Sequence, residues 1–329
     1  MDTKDTQPFG DKFEFIETTI SDIQSAFAAG TLTCVALVKT YLDRIEKIDK
    51  SGPQINSIIS INEQALEQAK HLDDIYKKSG PVGPLHGIPI AMKDQADVKE
   101  MPTTMGSVLF KNHRPERDSF VSARLREAGA IFIAKTTLGE MGAGDTHGSL
   151  FGSTKNVYDF RRTAGGSSGG SGAAVSANLC AVALGQEGFA SIRRPSTWNG
   201  IVGMRPTAGL VSRGGVYAGW PSTNGSLGPM TRNVMDAARL LDVMAGFDAD
   251  DPITSRGVGK KPKSYTAQLK KNALVGKRIG ILRTQMGYAS EPDADDFKNI
   301  SQLFNAAIND LSNMGAEIID EVEIPGMLD

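Results

Sequence analysis

The chain has 329 residues, with 36 Lys+Arg against 38 Asp+Glu and a formal net charge of -2. At about 150 residues per domain this length fits two domains or one large α/β domain, and 40% hydrophobic residues supply a core, which excludes a largely disordered chain. The near-neutral charge offers no basic face for nucleic acid and no electrostatic drive toward an anionic membrane.

The first 15 residues read as a loose, polar arm with no apolar stretch of secretory type. No apolar run reaches the roughly 18 residues of a membrane span, so a cytoplasmic protein is expected. Ile20, Ile23 and Phe27 then recur at helix spacing, with Gly30 as a stop. Thr33 can cap a second helix, whose stripe is Leu37, Tyr41, Leu42, Ile45 and Ile48. A third helix is predicted from Glu63 to about Lys77. Residues 1–82 thus read as a helical region packing on the rest, and 83–329 as an α/β core. Residues 85–92 read as extended, ending on Lys93-Asp94. A helix is predicted over 119–127, a strand over 131–134, a helix over 171–179 and a strand over 181–184. Helix 234–244 follows, closed by Gly246, then a polar loop or hinge over 248–263. Strand 278–282, helix 293–313 and strand 316–322 complete the chain. Helices alternating with short apolar strands imply an α/β fold with a sheet covered on both faces.

Cys34 and Cys180 are too few for a disulfide framework and read as buried small hydrophobes. Glycine is the outlier, with 36 residues, 20 of which crowd between Gly139 and Gly228. The stretch from Thr163 to Ala174, TAGGSSGGSGAA, could be a flexible linker, but a helix pattern follows it at once. It lacks the Gly-Lys-Ser/Thr ending of a phosphate loop. Gly165 to Gly169 satisfies G-x-S-x-G, the nucleophile elbow of α/β-hydrolases, yet that fold requires the chain order serine, acid, histidine. His71, His86, His113 and His147 all precede Ser167. A further reading combines three sites. Glycine-rich backbone at Ser167 permits a strained or cis conformation. Ser191, in a loop after a strand, could be a nucleophile, and Lys93 could be the base.

These stretches resemble the amidase signature family. The likeness runs through GIPIAMKD (87–94), FGSTKN (151–156), Gly165 to Gly172, Ser191-Ile192-Arg193 and GIVGMRPT (200–207), and resumes at GPMTR (228–232). It implies a mixed central sheet with helices on both faces, left incomplete at the C-terminus because family members are usually longer. It implies an amidohydrolase that cleaves a carboxylic amide C–N bond through an acyl-enzyme on Ser191. Ser167 would relay protons and Lys93, neutral through burial, would be the base. Asp94 is expected to point away from Lys93. The backbone N–H groups of Gly188, Phe189, Ala190 and Ser191 would form the oxyanion hole. The family pattern has two glycines directly before the nucleophile, whereas this chain has Phe189-Ala190, and Phe189 is read as a pocket wall.

Met141, Gly165, Gly166 and Phe189 are the expected substrate-binding residues. Ser168, Glu187 and Arg193 are the expected supports, with Glu187 and Arg193 read as a pair. Trp198, Trp220 and Tyr217 are candidates for the acyl pocket. His86 and His147 lack metal-ligand spacing and read as structural. No metal and no cofactor is expected, and the partner is a small-molecule amide, with a homodimer left open. Two alternatives stand beside this reading. One is a glutamine amidotransferase subunit, disfavoured by Phe189-Ala190 and Trp198-Asn199. The other is a catalytically weak or inactive scaffold of the same fold.

Overall fold

The computed structural model describes residues 13–219, 224–283 and 293–326. The chain divides into two compact units, one up to Thr266 and one from Ala267. Trp220 lies outside the described residues.

In the first unit, α1 (Ile20–Ala28) starts where Thr19 and Asp22 close a capping box. α2 (Cys34–Arg44) starts at Thr33, whose hydroxyl accepts the Ala36 N–H. It continues as a π-helical turn over Ile45–Lys50, so the last two residues of the expected stripe sit on a wider spiral. β1 (Ile58–Ile61), α3 (Ala65–Ser79), β2 (Pro89–Lys93), α4 (Phe120–Glu127) and β3 (Ile131–Thr136) follow. The expected N-terminal helical region therefore also supplies a strand. Two short antiparallel strands, β4 (His147–Gly148) and β5 (Gly152–Ser153), lead to α5 (Gly169–Ser176). Then come β6 (Val182–Glu187), α6 (Arg193–Trp198), β7 (Val202–Gly203), β8 (Ser226–Thr231) and α7 (Val234–Met244).

The six-stranded sheet has the order β1-β3-β2-β6-β8-β7. β3, β2 and β6 run parallel, while β1, β8 and β7 pair antiparallel with their neighbours. Every residue of β2, β3, β6 and β8 is buried, as expected when layers cover both faces. Met92 pairs with Leu184, so Lys93 and Gly185 point to one face and Gln186 to the other. A Cβ on Gly185 would stand 2.9 Å from the Ser168 hydroxyl, which identifies the first face as the one carrying α5.

α5 has the sequence GGSGAAVS, poor in helix formers, and its small residues let it lie directly on its neighbours. A Cβ on Gly170 would come within 2.3 Å of Thr137 Oγ1 and 2.4 Å of the Thr137 carbonyl oxygen. The polar stretch expected as a loop or hinge is pinned: Thr254 Oγ1 accepts the Asp248 N–H at 2.9 Å and donates to the Asp251 carbonyl at 2.8 Å, and Ser212 Oγ donates to the Asp248 carboxylate.

The second unit consists of β9 (Arg278–Ile281), α8 (Asp295–Asn313) and β10 (Glu317–Asp320). β9 and β10 pair in parallel, and Ile281, Ile308 and Ala316 are buried. No helix among the described residues is long and apolar enough to cross a membrane.

Candidate active site

Three chain segments meet at the C-terminal ends of β2 and β6, where α/β sheets hold ligands. Lys93, the last residue of β2, is wholly buried, and its Nζ lies 2.8 Å from Ser167 Oγ and 3.1 Å from the Gln186 carbonyl oxygen. Burial holds the Lys93 amine well below the ordinary lysine value, and the Glu187 carboxylate opposes this more weakly. A neutral amine suits these two partners, since one N–H can donate to the Gln186 carbonyl while the lone pair accepts from the Ser167 hydroxyl. The next side chain turns elsewhere. Asp94 accepts from the Thr104 N–H at 3.0 Å and pairs with the buried Lys135 at 3.3 Å.

Ser167 sits on a glycine turn shaped by close approach. Gly165 has φ of +76°, a conformation that favours glycine. A Cβ on Gly166 would lie 2.4 Å from the Gly144 carbonyl oxygen. The Gly166–Ser167 peptide is cis. Thr146 ties the turn to α5: its Oγ1 donates to the Gly165 carbonyl at 2.7 Å and accepts the Gly169 N–H at 2.9 Å. The Ser168 hydroxyl bridges the main-chain N–H and carbonyl of Gln186, both at 3.2 Å. Its own N–H donates to the Ser191 carbonyl at 3.1 Å, which draws Ser191 alongside the turn. Ser191 is half-buried, and its hydroxyl has no hydrogen-bond partner among the described residues.

The loop before Ser191 is held by an ion pair between the buried Glu187 and the exposed Arg193. Glu187 accepts from the Ile192 N–H at 2.8 Å and the Arg193 N–H at 2.9 Å, and Arg193 Nε donates to it at 2.7 Å. The N–H groups of Gly188, Phe189, Ala190 and Ser191 have no acceptor among the described residues. Neither Phe189 nor Ala190 takes a positive φ, so the Phe-Ala pair fits without glycine conformations. The Phe189 side chain projects outward, 79% exposed.

The remaining expected residues take varied places. Met141 is half-buried with φ of 55°, and its N–H donates to the Met105 carbonyl at 2.9 Å. Tyr217 lines a cavity of about 450 Å³ together with Gln186, Arg213, Ser226, Asp250 and Asp251. Trp198 is partly exposed under the Arg194 guanidinium, 5.3 Å from its ring. His86 Nδ1 accepts the Val82 N–H at 3.1 Å, and His147 Nδ1 is 2.8 Å from Ser153 Oγ. Cys34 and Cys180 are buried and free, and burial pushes the Cys180 thiol up to about 12. Sequence reasoning missed the Gln186 carbonyl as the second partner of Lys93. A main-chain oxygen leaves no signal in residue identity.

Fold and site define a class of α/β proteins in which a buried lysine meets a serine on a glycine-rich turn, with a second serine beside it and no imidazole. Residues 36–327 match the family model described as Amidase, and the chain belongs to the amidase family. A glutamyl-tRNA(Gln) amidotransferase subunit from Cyanothece sp. is 39% identical over 278 residues, covering 84% of this chain and 55% of that protein. The native peptide amidase from Stenotrophomonas maltophilia is similar at 37% identity and a TM-score of 0.87, over 95% of this chain and 63% of that one. The corresponding glutamyl-tRNA(Gln) amidotransferase subunit from Thermotoga maritima is similar at 30% identity and a TM-score of 0.78, over 95% of this chain and 62% of that one. The chain thus spans 55% to 63% of the length of these relatives.

Proposed function

We propose that the chain carries the catalytic centre of an amidohydrolase that cleaves a carboxylic amide C–N bond. The observation that carries this reading is the wholly buried Lys93–Ser167 contact of 2.8 Å beside Ser191. Ser191 Oγ attacks the amide carbonyl and forms an ester; its hydroxyl makes no hydrogen bond to Ser167 in this structure, so it must turn toward Ser167 Oγ to hand over its proton, as Ser167 passes its own to Lys93 Nζ. The Gln186 carbonyl takes one amine N–H, which leaves the lone pair of Lys93 for Ser167. The relay then reverses and protonates the departing nitrogen as the C–N bond breaks. Water enters by the same relay, breaks the ester and releases the carboxylic acid. The N–H groups of residues 188–191 receive the oxyanion, and one such donor is worth about 3–4 kcal/mol.

An apolar or peptide amide is the substrate class this reading favours. Support comes from the exposed Phe189 two residues before Ser191 and from the likeness to a peptide amidase. The 39% identity to an amidotransferase subunit favours glutamine as a second reading, in which a partner subunit would use the ammonia. A fluorophosphonate probe tests the chemistry, and labelling that vanishes in Ser191→Ala is expected. A folded wild-type chain that resists the probe would overturn the enzyme and leave a binding scaffold. Release of ammonia from a C-terminal peptide amide is expected, whereas release from glutamine alone would overturn the apolar assignment.

A further inference from the structure

Phe189 and Ala190 stand where glycines would let the loop fold freely, so something else must fix the direction of its N–H groups. Arg193 is placed to do so. Its Nε lies 2.7 Å and its Nη2 2.6 Å from Glu187 Oε1, and Nη2 also donates to the Phe189 carbonyl oxygen. One guanidinium therefore spans the buried end of β6 and the middle of the loop. A trans peptide is planar, with its C=O and N–H on opposite sides. Holding the Phe189 carbonyl on Arg193 turns the Ala190 N–H the other way. The next peptide is held likewise, because the Ala190 carbonyl accepts the Arg194 N–H at 2.9 Å, which turns the Ser191 N–H away from α6. Both N–H groups are left without an acceptor among the described residues.

We propose that Arg193 is a positioning residue for the oxyanion hole, its guanidinium clamping the Phe189–Ala190 peptide so that the Ala190 N–H faces the reacting carbonyl. The proposal rests on the reading of Ser191 as the nucleophile and adds what aims the donors beside it. Fork geometry matters here, because a lysine ammonium cannot hold a carboxylate and a carbonyl in one plane. The Arg193 side chain is 61% exposed, so its role is not to fill the core.

The test uses Arg193→Lys, which keeps a positive charge beside Glu187, together with Arg193→Ala. Turnover of a C-terminal peptide amide and the affinity of a peptidyl boronic acid, which forms a tetrahedral adduct on the serine, are measured for each. Loss of one aimed donor is expected to lower kcat about 100-fold in both variants, with KM nearly unchanged and boronate affinity falling in step. Millimolar guanidinium is expected to restore part of the rate in Arg193→Ala alone. Arg193→Lys with wild-type kcat and boronate affinity would overturn the clamp while leaving the site intact. A fall in kcat with undiminished boronate affinity would also overturn it. A wild-type chain that neither turns over the amide nor binds the boronate would instead remove the nucleophile reading itself, and the clamp with it.

Discussion

Replacing Lys93 with methionine is expected to abolish turnover and at the same time to stabilise the fold. In the unfolded chain the amine titrates at 10.5, the ordinary lysine value, whereas burial lowers it well below that in the folded state. Wherever the folded amine is neutral, folding therefore includes stripping a proton, at about 1.4 kcal/mol per pH unit below 10.5. Methionine has a similar volume and no proton to lose. Against this, Ser167 Oγ and the Gln186 carbonyl each lose a partner, at roughly 1 kcal/mol or more apiece. The proton cost overtakes this loss about two pH units below 10.5 and, while the folded amine stays neutral, grows from there toward acid. Its signature is a slope. Between the lowered folded value and 10.5 the unfolded state binds the extra proton, so wild-type stability rises with pH. The contribution is complete above 10.5 and is lost as pH falls. Urea unfolding at stepped pH, from neutral to alkaline, should show the Met variant ahead by a margin that widens by about 1.4 kcal/mol per unit toward acid. Parallel stability profiles would refute the neutral amine, and with it the base.

Turnover is expected to fall on the acid side as Lys93 takes up a proton, and Lys93→Arg should be inactive across the range because guanidinium keeps its proton. A pH–rate series checks both; recovery of Lys93→Arg in alkali would contradict the assignment. Gly170→Ala should destabilise by about 1–3 kcal/mol despite the better helix former, because the new methyl meets Thr137 backbone. A melting curve with an unchanged midpoint would show that α5 can lift. Asp94→Ala is expected to cost about 3–5 kcal/mol in denaturant titration, since Lys135 and Thr104 lose a buried partner, and Lys135→Met added to it should recover part. Phe189→Ala should leave stability within about 0.5 kcal/mol, because the side chain is 79% exposed, while raising KM for apolar amides. Equal KM values in the two proteins would remove Phe189 from substrate contact.

The second helix was legible because Thr33 precedes an apolar stripe, and the first because Ile20, Ile23 and Phe27 recur at helix spacing. Five strands were not: the two-residue β4, β5 and β7, and also β1 and β8. β8 carries Gly228-Pro229, which argues against a central strand, yet Pro229 sits opposite Leu184 and its carbonyl accepts the Met204 N–H at 3.0 Å. β1 is four residues long and follows the irregular spiral at Ile45–Lys50, so no alternation develops. α5 begins two residues before the predicted helix, since its first turn is glycine and its stability comes from contact rather than propensity. At the site, the meeting of positions 93 and 167 followed from a family pattern, and the Glu187–Arg193 pair from residue type and proximity. The reach of Arg193 to the Phe189 carbonyl did not, for it depends on how a peptide plane is rotated.

The tether between Lys93 and the main-chain oxygen of residue 186 has an evolutionary corollary. No exchange of side chain at 186 deletes that acceptor, and the side chain itself points through the sheet to the far cavity. Lineages can therefore vary what position 186 presents on the far side, polar or apolar, large or small, while the proton-handling centre in front keeps its anchor.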